Sequence, residues 1–161
     1  KSDSLYKAMK QGSMHRNFMG YTASKTRVMI GLGVSAISDS WNGFAQNEKK
    51  LEDYYTRLEQ NEIPLFRGHI LTTEDQIIRQ HILNLMCQLE TTWGAEGGWF
   101  PAIPEVLEDL KELEQDNLVE IRENSLRINE NGRPFVRNVC MAFDLLLKRS
   151  QPQAQLFSMT V

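Results

Sequence analysis

Leu118-Val119-Glu120-Ile121-Arg122-Glu123-Asn124-Ser125-Leu126-Arg127-Ile128 interrupts a chain whose apolar residues otherwise follow helical spacing. Leu118-Val119-Glu120-Ile121 and Ser125-Leu126-Arg127-Ile128 read as two short strands, and Arg122-Glu123-Asn124 joins them as a hairpin. Upstream, Ile103, Leu107, Leu110 and Leu113 share one face and predict a helix over 103–115. A Trp- and Gly-rich loop, 93–99, precedes it. Another helix is expected from about Thr72-Thr73, where Thr73 and Gln76 have capping-box spacing. Its apolar face is Ile78, Ile82, Leu85 and Leu89. Downstream, Asn131-Gly132-Arg133-Pro134 opens a last helix with Val136, Val139, Phe143 and Leu146 as its core stripe. Leu51, Tyr54, Tyr55 and Leu58 mark one more helix, ended by Pro64.

The order helix, helix, strand, strand, helix resembles a winged-helix unit. What precedes it is different. Leu5, Ala8 and Met9 predict a helix over 3–11, stopped by Gly12. Val28-Met29-Ile30-Gly31-Leu32-Gly33-Val34-Ser35-Ala36-Ile37-Ser38 is apolar without alternation and interrupted by two glycines, which fits a buried parallel strand running into a loop. One such strand is not a fold. The expected class is therefore mainly α with a small β-hairpin: a winged-helix-like helical domain, 48–161, preceded by the terminal strand of a truncated α/β barrel, 1–47.

Composition is that of a globular protein, with 41% hydrophobic and 24% charged residues and a net charge of −3. The charge is unevenly spread. Residues 1–47 carry Lys1, Lys7, Lys10, Arg16, Lys25 and Arg27 against Asp3 and Asp39, a net of +4, so the rest carries −7. A DNA reader needs cations on its recognition helix. Here Glu105, Glu108, Asp109, Glu112, Glu114 and Asp116 face a lone Lys111, so no nucleic acid partner is expected. No apolar run reaches the roughly 20 residues of a membrane span. The chain starts Lys1-Ser2-Asp3-Ser4, without Met or an apolar signal segment, which suggests a piece of a longer polypeptide.

His15, His69 and His81 have no i, i+3 or i, i+4 partner among themselves, so no helical metal motif exists. His81 lies beside an apolar helix face and is expected to be structural. Cys87 and Cys140 sit in apolar helical patterns and are expected to be buried free thiols. Two cysteines cannot hold an iron–sulfur cluster, which takes about four ligands. Gly31-Leu32-Gly33 is a weak phosphate signature. The loop His15-Arg16-Asn17-Phe18-Met19-Gly20-Tyr21 beside a strand end is the better candidate site.

These same residues carry a resemblance. His15-Arg16-Asn17-Phe18-Met19-Gly20-Tyr21-Thr22, Gly33-Val34-Ser35-Ala36-Ile37-Ser38, Phe44-Ala45-Gln46-Asn47 and Arg137-Asn138-Val139-Cys140-Met141-Ala142-Phe143-Asp144 resemble the oxygen-independent coproporphyrinogen III oxidases, in order along the chain. Gln155-Leu156-Phe157-Ser158 resembles that family's C-terminus. The resemblance implies a radical S-adenosylmethionine (SAM) barrel followed by a helical C-terminal domain. It implies oxidoreductase chemistry of haem and porphyrin biosynthesis, turning two propionates of coproporphyrinogen III into vinyl groups with loss of carbon dioxide. It also implies SAM and a [4Fe–4S] cluster whose CxxxCxxC motif lies outside these residues, so this piece would be inactive alone. Ile37 corresponds to a family residue that contacts SAM. The family has Gln where Met19 stands, and an aliphatic where Pro134 stands. The substrate's four carboxylates and the basic charge of 1–47 make Arg16 a candidate propionate ligand. A monomer is expected. The alternative is a stand-alone winged-helix-like module that binds a protein partner.

Overall fold

The computed structural model describes residues 2–94 and 97–150. Helix α1 (Ser4–Lys10) is capped by the Asp3 carboxylate, which accepts the Tyr6 amide at 2.8 Å. A hairpin of β1 (His15–Asn17) and β2 (Gly20–Thr22) follows. Its turn is built by Asn17, whose Oδ1 accepts the amides of Met19 (2.9 Å) and Gly20 (3.2 Å).

Next come β3 (Val28–Met29), β4 (Ile37–Ser40) and β5 (Gly43–Asn47), then α2 (Leu51–Glu59) and β6 (Leu65–Ile70). The four strands form one antiparallel sheet in the order β3-β4-β5-β6. The expected buried parallel strand over 28–38 is therefore corrected. The chain leaves β3 after Met29, doubles back, and returns antiparallel as β4. Gly31 allows this, because a Cβ there would stand 2.6 Å from the Ile37 carbonyl oxygen. Asn47 then holds the loop, its Nδ2 donating to the carbonyls of Gly31 (3.2 Å) and Gly33 (2.9 Å). Apolar residues expected inside stand in the open: Ile30 is 73% and Leu32 88% exposed.

Helix α3 (Thr73–Gln88) is the longest element. Its capping box is Thr72 with Asp75, one residue before the expected Thr73/Gln76 pair. Asp75 Oδ2 accepts the Thr72 amide at 2.9 Å and the Asp75 amide donates back to Thr72 Oγ1 at 3.2 Å. A carboxylate at a helix N-terminus also meets the positive end of the dipole, which a glutamine amide does not. After Leu89 in a left-handed conformation (φ 62°) comes β7 (Glu90–Thr92).

Two helices, α4 (Ile103–Asp109) and α5 (Lys111–Gln115), replace the single one expected over 103–115. The Leu110 amide bonds Leu107 O three residues back, and Leu110 itself is fully buried. Strands β8 (Val119–Arg122) and β9 (Ser125–Ile128) form the expected hairpin. It is more than a hairpin, because β7 pairs with β9 to give a three-stranded sheet ordered β7-β9-β8. The last helix also differs. Glu130–Phe135 is a 3-10 turn, then α6 (Val136–Ala142) and α7 (Leu145–Ser150) follow. Pro134 has no amide hydrogen to donate to an α-helical ladder. Leu146, expected in the core stripe, is exposed, and Leu145 is buried instead. Residues 155–158, singled out in the sequence, lie outside the described residues.

Burial is lopsided. One core cluster holds Leu85, Phe100, Val106, Leu110, Leu126, Val139 and Phe143, and its buried members all fall between Ile78 and Leu145. Each such side chain contributes about 1.5–3 kcal/mol on burial. The amphipathic stripe of α2 is mostly open among the described residues: Leu51, Tyr55 and Leu58 are exposed and Tyr54 is half-buried, and every residue of β6 is exposed. No helix among the described residues is long and apolar enough to cross a membrane.

Candidate functional site

Helix α3 meets the β3–β6 sheet through Arg79. Its Nη2 donates to both oxygens of Asp39 on β4 (2.8 and 3.0 Å), and its Nη1 to the Ser40 carbonyl (2.7 Å). The guanidinium also lies 5.1 Å from the Trp41 ring and 4.8 Å from the Phe44 ring. Forked pairing plus ring stacking is a geometry lysine cannot reproduce. This joint fixes the sheet over α3.

A groove runs along that joint. It consists of two adjoining hollows, of about 450 and 400 Å³, that share Phe18, Phe44, His69 and Leu146 as walls. Arg16 lines the first hollow and Ile37 the second. The structure thus brings both sequence-predicted residues to one groove. Ile37 sits half-buried at the start of β4, next to Phe18 and Phe44 in the lining. Arg16 is half-buried on β1, with its guanidinium 5.6 Å from the Tyr21 ring. Its Nε is buried with no hydrogen-bond partner, which leaves a cation with capacity for an anion. Met19, at the hairpin tip, is exposed and makes no wall of the groove.

The groove's titratable groups are polarised. Burial raises the Asp75 carboxyl, but the Thr72 hydrogen bonds and the nearby His69 overcome this and hold it below the usual range. His69 Nε2 stands 3.7 Å from that carboxylate. Burial pushes up the Cys87 thiol despite Arg16, and pushes the Cys140 thiol to about 12. Both cysteines are free, as the sequence suggested, but only Cys140 is buried and Cys87 is half-buried. Neither is a thiolate poised for metal or nucleophilic work. Among the described residues no cluster of three His, Cys, Asp or Glu could hold a metal ion.

His81 is structural in the way the helix pattern suggests. It is 2% exposed and ringed by Trp93, Phe100 and Phe143. Its Nε2 lies 2.6 Å from the Gly98 carbonyl and its Nδ1 2.7 Å from Thr91 Oγ1. A carbonyl only accepts, so Nε2 carries the proton and the Thr91 hydroxyl donates to Nδ1. Burial lowers the His81 pKa, opposed by the Gly98 hydrogen bond.

Sequence reasoning missed Asp39, Arg79 and Asn47. Two of them leave a signal: Asp39 is one of two acids in a basic stretch, and Arg79 directly follows the apolar stripe residue Ile78.

No family model matches the chain. Curated relatives do. The oxygen-independent coproporphyrinogen III oxidase of Salmonella typhimurium is 37% identical over 166 residues, 99% of this chain and 36% of that protein. That of Escherichia coli is 37% identical over 164 residues, again 99% of this chain and 36% of the relative. That of Pseudomonas aeruginosa is 33% identical over 152 residues, 90% of this chain. Among solved structures, the coproporphyrinogen III oxidase of Escherichia coli, described as a radical SAM enzyme, superimposes with a TM-score of 0.83 at 36% identity. That match covers 91% of this chain and 35% of the other. The chain spans about a third of the length of the relatives it matches.

Proposed function

This chain is homologous to one segment of the oxygen-independent coproporphyrinogen III oxidases, and from that premise we propose that it serves as the C-terminal part of such an enzyme. The whole protein would convert coproporphyrinogen III to protoporphyrinogen IX in the cytoplasm, as a monomer, using SAM and a [4Fe–4S] cluster. Residues 1–47 would end the catalytic barrel and 48–161 would form a winged-helix-like helical domain, with β6 completing the sheet begun by β3–β5. The order α3, β7, α4, α5, β8, β9 and the sheet order β7-β9-β8 support the winged-helix description. The acids of α4 and α5 speak against nucleic acid as its partner.

The observation that carries the proposal is the lopsided burial. Ile30, Leu32, Leu51, Tyr55, Ile63 and Ile70 are exposed on the 28–70 part, while the buried members of the core cluster all lie beyond Asp75. Such a surface marks an interface with more protein. The catalytic body of the longer relatives is the natural occupant. A stand-alone interaction module would have no use for a four-stranded sheet without a core of its own.

The residues present do not fit the cluster. The described part offers no three-ligand group, and its thiols are shifted away from thiolate. Cluster chemistry would then fall to the rest of the enzyme, and no step is routed through this chain. What these residues can do is bind and enclose. Ile37 with Phe18 and Phe44 offers an apolar edge suited to the adenosyl part of SAM. Arg16 offers its free Nε to a propionate. The groove walls would keep water from the reacting centre.

The test is iron per polypeptide in the natural protein, purified without oxygen, followed by turnover of coproporphyrinogen III. About four irons and decarboxylation support the proposal. No iron after cluster reconstitution, and no turnover, overturn it.

A further inference from the structure

A second cleft, of about 620 Å³, lies on the other side of β1 from Arg16, between β1, residues 25–28, the β4–β5 turn and α3. Neighbouring residues of a strand point to opposite faces. His15 accordingly lines this cleft, while Arg16 lines the groove. Around His15 stand Lys25, Arg27 and Arg79, with Trp41 and Gln80 completing the wall, and no carboxylate lines it.

We propose that this cleft is a binding site for a small oxyanion, the carboxylate or phosphate group of a polyanionic metabolite. Three observations support it. Lys25 and Arg27 have no ion-pair partner among the described residues, in a chain whose net charge is −3. Such an uncompensated pair is not a product of excess base. Second, the one acid near the cleft, Asp39, is engaged by both of its oxygens with Arg79 Nη2, so it does not neutralise the others. Third, burial together with the charges of Lys25 and Arg79 lowers the His15 pKa, with Asp39 opposing. His15 is thus a proton acceptor awaiting a counter-charge. An anion seated among these groups would favour the protonated ring and gain a further charged donor. Trp41 supplies a flat apolar face for the rest of the ligand, and the Gln80 and Asn42 amides lie in the lining.

The site is independent of the porphyrinogen reading, since its test needs neither cluster nor turnover. The experiment follows the ring-proton titrations of His15 and His81 by NMR in the full protein, with millimolar citrate, with millimolar pyrophosphate, and with sodium chloride at matched ionic strength. The His15 midpoint is expected to move to higher pH with citrate or pyrophosphate while that of the buried His81 holds. Response to citrate alone assigns a carboxylate ligand; response to pyrophosphate alone assigns a phosphate. Lys25→Gln with Arg27→Gln, both exposed and harmless to the core, should weaken binding by about tenfold or more, since charge-assisted hydrogen bonds contribute roughly 1.5–3 kcal/mol. If sodium chloride moves His15 as far as the oxyanions do, or nothing moves it, the site does not exist.

Discussion

Replacing His81 by leucine keeps an apolar volume in the core but deletes both ring nitrogens. The Gly98 carbonyl then loses its 2.6 Å donor, and the Thr91 hydroxyl loses the Nδ1 acceptor at 2.7 Å. Thr91 Oγ1 keeps only the Asn84 amide, at 3.3 Å. Two buried hydrogen bonds contribute about 1 kcal/mol each, and the ring contacts with Phe100 and Phe143 about 0.5–1.5 kcal/mol more. His81→Leu is therefore expected to cost about 3 kcal/mol at pH 7, or about 6–12 °C in Tm for a domain of this size. The pH dependence separates this account from simple loss of packing. In the folded protein His81 is held neutral, its pKa lowered mainly by burial, against an ordinary value of 6.5. The unfolded chain binds the proton first as pH falls. The contribution of His81 is thus complete above pH 6.5 and drains as pH drops below it toward the folded value, by at most about 1.4 kcal/mol per pH unit. The variant has no such loss. Urea denaturation of both proteins at pH 7 and pH 5 should show the gap between them narrowing at the lower pH. A gap that is small at pH 7, or equally large at both, would refute the tautomer and the burial argument together.

Four further outcomes follow from the same structure. Gly132→Ala drives a Cβ into the Leu118 carbonyl oxygen; the 3-10 turn must move, and a stability loss of about 1–3 kcal/mol in chemical denaturation is expected. Thr72→Ala removes the α3 cap and should cost about 1 kcal/mol by the same assay, whereas Thr72→Ser should cost much less. Arg16→Ala in the complete enzyme should raise KM for coproporphyrinogen III by roughly tenfold or more, the worth of one charge-assisted hydrogen bond; unchanged KM and turnover would exclude a propionate at Arg16. Limited proteolysis should cut the 1–47 part well before the α3–α7 region when this chain is isolated, because the described core lies beyond residue 77; equal resistance would show that 1–47 packs without the rest of an enzyme.

Local rules found the elements that local forces decide. The 3.6-residue stripe Ile78, Ile82, Leu85, Leu89 lies on α3, and the alternation in 118–128 gives β8 and β9. Helix α1 runs over Ser4–Lys10, and Gly12 takes the left-handed conformation that ends it, φ 65°. Where tertiary contacts decide, spacing misleads. Nothing in Leu107–Lys111 announces the break at Leu110, where the amide bonds the Leu107 carbonyl three residues back. Strand β7 is three polar residues, Glu90-Thr91-Thr92. No hydrophobic pattern could disclose it, because its place is set by pairing with β9 and by His81 reaching Thr91.

The misread segment 28–38 ties the fold to the function. Its apolar composition argued for burial, and burial argued for a strand inside a sheet. Only the first inference concerns composition alone, and it still has to be satisfied somewhere. In this structure Val28, Ile30 and Leu32 face outward, while Gly31 and the Asn47 amide fold the chain into a loop. A loop so specifically clamped is not loose chain awaiting a sheet. Its apolar side chains stay exposed among the described residues, as do Leu51, Tyr55 and Leu58 on α2. The site shares this logic. Arg16 and Ile37 stood out through motif and charge, yet their common groove depends on Arg79 clasping Asp39, a pair 40 residues apart. Sequence can nominate such residues singly; the distance between them is set only when α3 closes on the sheet.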